Sequence, residues 1–264
     1  MHAIGISSFT LVMTACIAPR QVNPLVARVD PRQRLSDYIG ALRYWLNSED
    51  ERCTSVLFLD NSGYPLDEIH QVAEESNRYN RPTLIRRVSS NDVPDGVSYG
   101  YAELGILDSA AREIREWEDA PLIVKTTGRL TFPDLGRLID RTSGDVEFMA
   151  DARNRHLPHR RTAENGVLTT QLMAFTPDFY RRKMMDLRDK MAPVKGHRLI
   201  ESVLYRELFE LQQQRPDRVR YRFPVGCEPR GEAAHWEKRY GRGRDLFQGA
   251  VRSTCRLVSP NLWL

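Results

Sequence analysis

The chain has 264 residues and a mass of 30.5 kDa, enough for one large α/β domain or two small ones, and its 41% hydrophobic content suffices to bury a core. Its 39 basic and 35 acidic residues leave a formal charge of only +4, which suits acidic small molecules or an anionic membrane surface and is weak evidence for nucleic acid. Cys16, Cys53, Cys227 and Cys255 fall at no metal-ligand spacing, so a zinc site is disfavoured and a reducing compartment is expected.

In chain order, Phe9 to Cys16 reads as a buried first strand. The stretch from Ile4 to Cys16 resembles a lipoprotein signal, but only Met1-His2-Ala3 precedes it and a secretory signal needs basic residues there. Asp30-Pro31 then opens a helix, with Asp30 as cap, proline in the first turn, and Leu35, Tyr38, Ile39, Leu42 and Leu46 at helical spacing. A second strand, Ser55 to Leu59, ends in the turn Asp60-Asn61-Ser62-Gly63. A helix from Leu66 to Tyr79, a strand from Thr83 to Val88 and a polar loop lead through Gly96 and Gly100 into a helix from Tyr101 to Trp117. A fourth strand follows Pro121, and Asp134 to Arg141 is a short helix. This alternation predicts an α/β fold with a mainly parallel sheet and helices on both faces.

The second half predicts a strand at Val146 to Met149 ending in Asp151-Ala152-Arg153, a basic loop over 154–161, and a strand from Leu168 to Phe175. Helices are expected from Thr176 to about Lys190 and from Leu199 to Gln214. Residues 216–264 are rich in Gly, Arg and Pro and read as a loop-rich extension laid over the domain. No apolar run reaches the ~18 residues of a membrane span.

The fourth strand carries charge where it ends: Leu122-Ile123-Val124 gives way to Lys125-Thr126-Thr127-Gly128-Arg129. Ligands of open α/β sheets bind beyond the carboxyl ends of strands, so Lys125 and Arg129 are expected either to face an anion there, with Gly128 admitting it closely, or to pair with nearby acids. No glycine-rich phosphate loop follows the first strand and no nucleophile elbow is present, which disfavours two large classes of parallel-sheet enzyme.

Four stretches, in this order, resemble glycosyltransferases of the GT-A type: Thr14-Ala15-Cys16-Ile17-Ala18, Asp60-Asn61-Ser62, Gly100-Tyr101-Ala102-Glu103 and Lys125-Thr126-Thr127-Gly128-Arg129. The combination is similar to bacterial enzymes that build surface polysaccharides, over about Phe9 to Glu207. The resemblance implies a Rossmann-related domain over 1–215, with a nucleotide-sugar-binding half at 1–142 and an acceptor and catalytic half at 143–215. It implies donor contacts from Thr14, Cys16, Ile17, Arg34, Asp60, Asn61, Ser62, Tyr101, Glu103, Lys125, Gly128 and Arg129, and acceptor contacts from Arg153 and His156. The family's fourth strand usually ends in the metal-binding Asp-x-Asp, which this chain replaces with cations. The expectation is therefore a transferase without a metal cofactor, since fixed cations can neutralise a diphosphate leaving group as a divalent ion does.

Glu201 holds the place in this order where the inverting members keep an acidic base; Asp151, also assigned to catalysis, and Asp178 are its rivals. Ordinary structural roles compete with these assignments: a turn for Asp60, a helix-start carboxylate for Glu103, a solvated helix face for Glu201. The implied partners are a nucleotide-sugar donor and a glycan or lipid-linked acceptor, with no nucleic acid. Other readings of the same fold are a non-catalytic nucleotide or glycan binder and a nucleotidyltransferase. A cytoplasmic protein is expected, touching an anionic membrane through Arg239, Arg242, Arg244 and Arg252.

Overall fold

The computed structural model describes residues 5–19, 27–88, 93–94, 97–153, 161–191, 199–233, 239–241 and 243–258. The first apolar run is strand β1 (Phe9–Ala15), buried at every position. A strand needs such unbroken burial when it has neighbours on both edges and helices on both faces. β2 (Cys53–Asp60) and β4 (Ile123–Thr127) flank it in parallel, and β3 (Thr83–Arg87) lies parallel outside β2. Beyond β4, β7 (Val167–Phe175) pairs antiparallel with both β4 and β6 (Phe148–Arg153), and β8 (Val219–Arg220) runs parallel to β6. The sheet order is β3-β2-β1-β4-β7-β6-β8, mainly parallel with β7 reversed. Because β1 lies inside the sheet, between β2 and β4, residues 9–15 are a core strand.

Alternate residues of β1 feed two cores. On one face Leu11 and Met13 meet α1 (Pro31–Leu46), α2 (Asp67–Ser76) and α5 (Leu135–Asp140) through Leu42, Trp45, Ile69 and Leu138. On the other, Val12 joins α3 (Gly100–Glu113), α4 (Arg115–Glu118) and α7 (Ile200–Gln214) through Leu107, Trp117 and Leu204. Helix α1 starts as read: Asp30 accepts a hydrogen bond from the Arg32 amide, with Pro31 in the first turn. Its far end is held by buried Arg81, whose guanidinium donates to the carbonyls of Trp45, Leu46, Ser48, Asp50 and Cys53. A cation there also offsets the negative end of the helix dipole.

Two helices end earlier than expected. Helix α3 stops at Ile114, which is extended, before the short α4. The helix expected from 176 to 190 is α6 (Pro177–Phe179), capped by Thr176, followed by a π-type turn at Tyr180–Met184 and a 3₁₀ turn at Leu187–Met191. This stretch supplies donors to Asp108, a fully buried carboxylate on α3. The Tyr180 hydroxyl donates to it at 2.7 Å, and the backbone turns at Asp186, with φ of 61°, so that the Asp186 amide approaches the same oxygen.

The segment after Gln214 is more regular than its composition suggests. Besides β8 it forms β9 (Arg230–Glu232) and β10 (Arg239–Tyr240), which build a small antiparallel sheet on β5 (Leu130–Thr131), and helix α8 (Arg244–Val258). Gly231 is required where β9 meets β5: its φ is 125°, and a β-carbon would lie 2.5 Å from the Arg129 carbonyl. Among the described residues no helix is long and apolar enough to cross a membrane.

Candidate active site

Because β1 and β4 are parallel neighbours, their carboxyl ends open on the same side, and a cavity of about 230 Å³ lies there. Its walls come from the end of β1 (Thr14 to Cys16), Asn61, the entry and start of α3 (Ser98, Tyr99, Gly100, Ala102 and Glu103), Thr127 and Arg129, the middle of β7 (Thr170, Gln171) and the start of α7 (Leu199 to Glu201). The small sheet closes it with Glu232, Ala233 and Tyr240, so residues from the C-terminal segment belong to the site.

Two buried arginines line this space, and among the described residues neither has a carboxylate within salt-bridge distance. Arg34 donates to the carbonyls of Cys16 (2.7 Å) and Arg28 (3.1 Å) and to the Tyr38 hydroxyl. Arg129 donates to the Glu232 carbonyl at 3.2 Å, while its Nε is buried without a partner among the described residues. Both guanidinium carbons lie 5.9 Å from the centre of the Tyr38 ring. Neutral carbonyls and a ring face orient the two cations without cancelling their charge.

Lys125 behaves differently from the expectation. Its ammonium is fully buried beneath the cavity and donates to Glu103 Oε1 and to the Thr170 carbonyl, both at 2.6 Å. The ion pair, not an anionic ligand, takes its charge. Glu103 Oε1 also accepts from the hydroxyls of Thr14 (2.9 Å) and Thr127 (3.5 Å), whereas Oε2 takes none of these bonds and the side chain stays 20% exposed in the cavity wall. Removing Glu103 strands a buried ammonium, so Glu103→Ala is expected to lower folding stability by ~3–5 kcal/mol in urea denaturation. Adding Lys125→Met to that background should restore most of the loss, because the uncompensated charge goes with it.

Glu201 lies in the first turn of α7 and in the cavity wall, where Thr170 Oγ1 donates to it at 3.4 Å. Burial pushes its carboxyl above the usual range; the helix amide and the nearby Lys125 pull the other way, and Glu103 adds to the rise. A carboxylate with a raised pKa accepts a proton more readily, which is what a general base requires.

Thr14, Cys16, Arg34, Asn61, Glu103, Arg129 and Glu201 thus meet in one place. Asn61 is nearly buried there, its Oδ1 unpaired among the described residues. Other assigned residues do not reach the cavity. Asp60 is fully buried and fixes the turn: Oδ2 accepts from the Ile17 amide at 2.9 Å, and Oδ1 from the Ser62 amide and hydroxyl. Burial raises its pKa while these bonds hold it down. Ile17 and Ser62 are accordingly parts of that turn. Gly128 admits neighbouring protein, not a ligand: a β-carbon would lie 2.7 Å from the Thr14 carbonyl and 3.1 Å from the Tyr38 ring. Tyr101 faces away, under the Arg188 guanidinium, and Tyr99 takes its place in the wall.

Asp151 is not at the site either. It accepts from the Phe223 amide (3.2 Å) and from Arg256 (2.5 Å), so it fastens the C-terminal segment to β6. Arg153 lies outside the cavity wall among Asp151, Glu228 and Arg252, its pKa lowered by burial. His156 and Arg242 lie outside the described residues, and Asp178 pairs with Arg182 at the surface. Tyr38, Tyr99, Thr170, Gln171, Glu232 and Tyr240 were missed. Tyr38 looks in sequence like one more apolar position of α1; only the tertiary fold brings its ring within 5.9 Å of two guanidinium groups.

No family profile matches the sequence, and no curated protein sequence does. Solved structures with a similar course of chain include core-mannan synthase A (CmsA/Ktr4) from Aspergillus fumigatus in a Mn/GDP form, 9% identical over 79% of this chain and 71% of that one, with a TM-score of 0.44. An active-site mutant of LgtC is 13% identical over 76% of this chain and 70% of its own, with a TM-score of 0.47. The 4-diphosphocytidyl-2C-methyl-D-erythritol synthase from Anaerococcus prevotii is 9% identical over 93% and 96%, with a TM-score of 0.41.

Proposed function

We propose that this protein is a GT-A-type glycosyltransferase that moves a sugar from a nucleotide-sugar donor to a glycan or lipid-linked acceptor, in the cytoplasm and for surface polysaccharide synthesis. One observation carries the reading: two buried arginines, Arg34 and Arg129, neither with a carboxylate within salt-bridge distance among the described residues, share a strand-end cavity with a carboxylate of raised pKa, Glu201. The charges match the reaction. As the bond from the anomeric carbon to the diphosphate oxygen breaks, the nucleoside diphosphate leaves with the electron pair, and fixed guanidinium groups stabilise that growing charge. The acceptor oxygen forms the new glycosidic bond and gives its proton to Glu201.

In this reading the cations that face the diphosphate are Arg34 and Arg129, while Lys125 holds Glu103 in place. Asn61 and the end of β1 hold the nucleotide, Asn61 Oδ1 accepting from an N–H of the base. Because the two arginines supply the neutralising charge, no divalent metal is required, and transfer is expected to persist in EDTA.

The test is incubation with a panel of UDP-, GDP- and CMP-sugars, following donor hydrolysis and transfer. Slow hydrolysis of one donor, lost in Arg129→Ala, supports the proposal. Saturable nucleotide binding without turnover would make the protein a binder, and pyrophosphate release from a nucleoside triphosphate would make it a nucleotidyltransferase.

A further inference from the structure

Helix α8 is built inside out. Its inward positions are polar: Arg252 pairs with Glu228 at 3.1 Å, Arg256 with Asp151 at 2.5 Å, and Gly249 and Ser253 pack on the chain at Glu228 and Gly226. The exposed positions are Phe247, Ala250, Val251, Thr254, Leu257 and Val258, with Phe247 70%, Leu257 85% and Val258 78% exposed. At about 3.6 residues per turn these six fall within a third of the circumference. A surface helix ordinarily turns its apolar face to the core, and exposed apolar patches of this kind mark interaction sites.

Charge indicates what covers the face. Residues 216–264 hold ten basic and five acidic side chains, while residues 1–215 hold 29 basic and 30 acidic, so the whole basic excess lies in the segment that carries α8. A single helix face is also much smaller than the ~800 Å² per partner of a stable protein interface. We infer that α8 lies in the surface of an anionic lipid bilayer, its Phe247–Val251–Leu257–Val258 face among the acyl chains, with the net positive charge of the segment as a whole drawing it to the anionic surface. Helices that rest in a membrane surface combine these two features.

The inference is independent of the reaction proposed above, because its test reads binding and not transfer. The protein is floated with vesicles of phosphatidylcholine alone, and with vesicles in which about one lipid in three is phosphatidylglycerol. Binding to the second and not the first is expected, weakening as salt rises. Phe247→Glu and, separately, Leu257→Glu should each lower the partition coefficient by about tenfold or more, with the thermal midpoint of unfolding unchanged because both side chains are exposed. Three results would overturn it: no binding to anionic vesicles, a molecular mass in solution that is dimeric and becomes monomeric in Phe247→Glu, or a stability loss in that variant, which would mean that the chain itself covers the face.

Discussion

Glu201→Gln is expected to lower kcat for the proposed sugar transfer by about 10²–10⁴-fold while leaving donor affinity nearly unchanged, the scale of losing a positioned general base. The amide keeps the size of the side chain and its bond with Thr170 but cannot take a proton. In the unsubstituted protein, transfer should rise with pH and level off above a pKa higher than the ordinary glutamate value of about 4.3, because burial raises the Glu201 pKa and only the ionised form is active. That pH dependence should vanish in Glu201→Gln. The same shift separates catalysis from folding. A carboxyl whose pKa is higher folded than unfolded favours the folded state fully below the unfolded value, and that contribution is lost as pH rises through the folded one. At neutral pH the variant is therefore expected to be at least as stable as the parent in urea denaturation. A variant that loses activity because it unfolds would show that Glu201 is structural. A full rate with an unchanged pH profile would move the base elsewhere.

Arg129→Ala is expected to cost about 10²–10³-fold in kcat/KM, the loss seen when one preorganised donor to a developing anion is removed. Arg137→Ala is the control: Arg137 lies on α5, 72% exposed and paired with Asp134, so it changes the net charge equally without touching the cavity. Arg129→Lys should recover only part of the rate, because an ammonium cannot make the planar two-pronged contact of a guanidinium with phosphate oxygens. Arg34→Ala should resemble Arg129→Ala in rate but cost more stability, since Arg34 also ties the end of β1 to α1 through the Cys16 carbonyl. The metal-free reading is tested in the same assay. If activity disappears with EDTA and returns with manganese, a divalent ion and not the arginine pair neutralises the leaving diphosphate, and Glu103 and Glu232 in the cavity wall become the first residues to examine.

The sequence alone determined the first four strands, helices α1 and α2, the body of α3 and the turn at Asp60-Asn61-Ser62. These rest on local signals: apolar runs of strand length, 3.6-residue spacing, a proline-started helix with an aspartate cap, and turn residues at a strand end. It also located the strand ends where the cavity opens, since a parallel sheet places its ligand crevice there whatever the side chains are. What each charge does there depended on the tertiary structure. Lys125 and Arg129 are four residues apart in one polar stretch, yet one is consumed by Glu103 from α3 and the other, beside Tyr38 from α1, has no carboxylate within salt-bridge distance among the described residues. A strand buried on both faces shows no alternation that would tell which way each residue points. Asp60 and Asp151 have the same character: sequence offers acids near strand ends, and only the fold brings the amides of Ile17 and Phe223 and the guanidinium of Arg256 that occupy them. Helix α8 is the extreme case, because its polar residues are drawn inward by Glu228 and Asp151, acids distant in the chain whose position no helical period encodes.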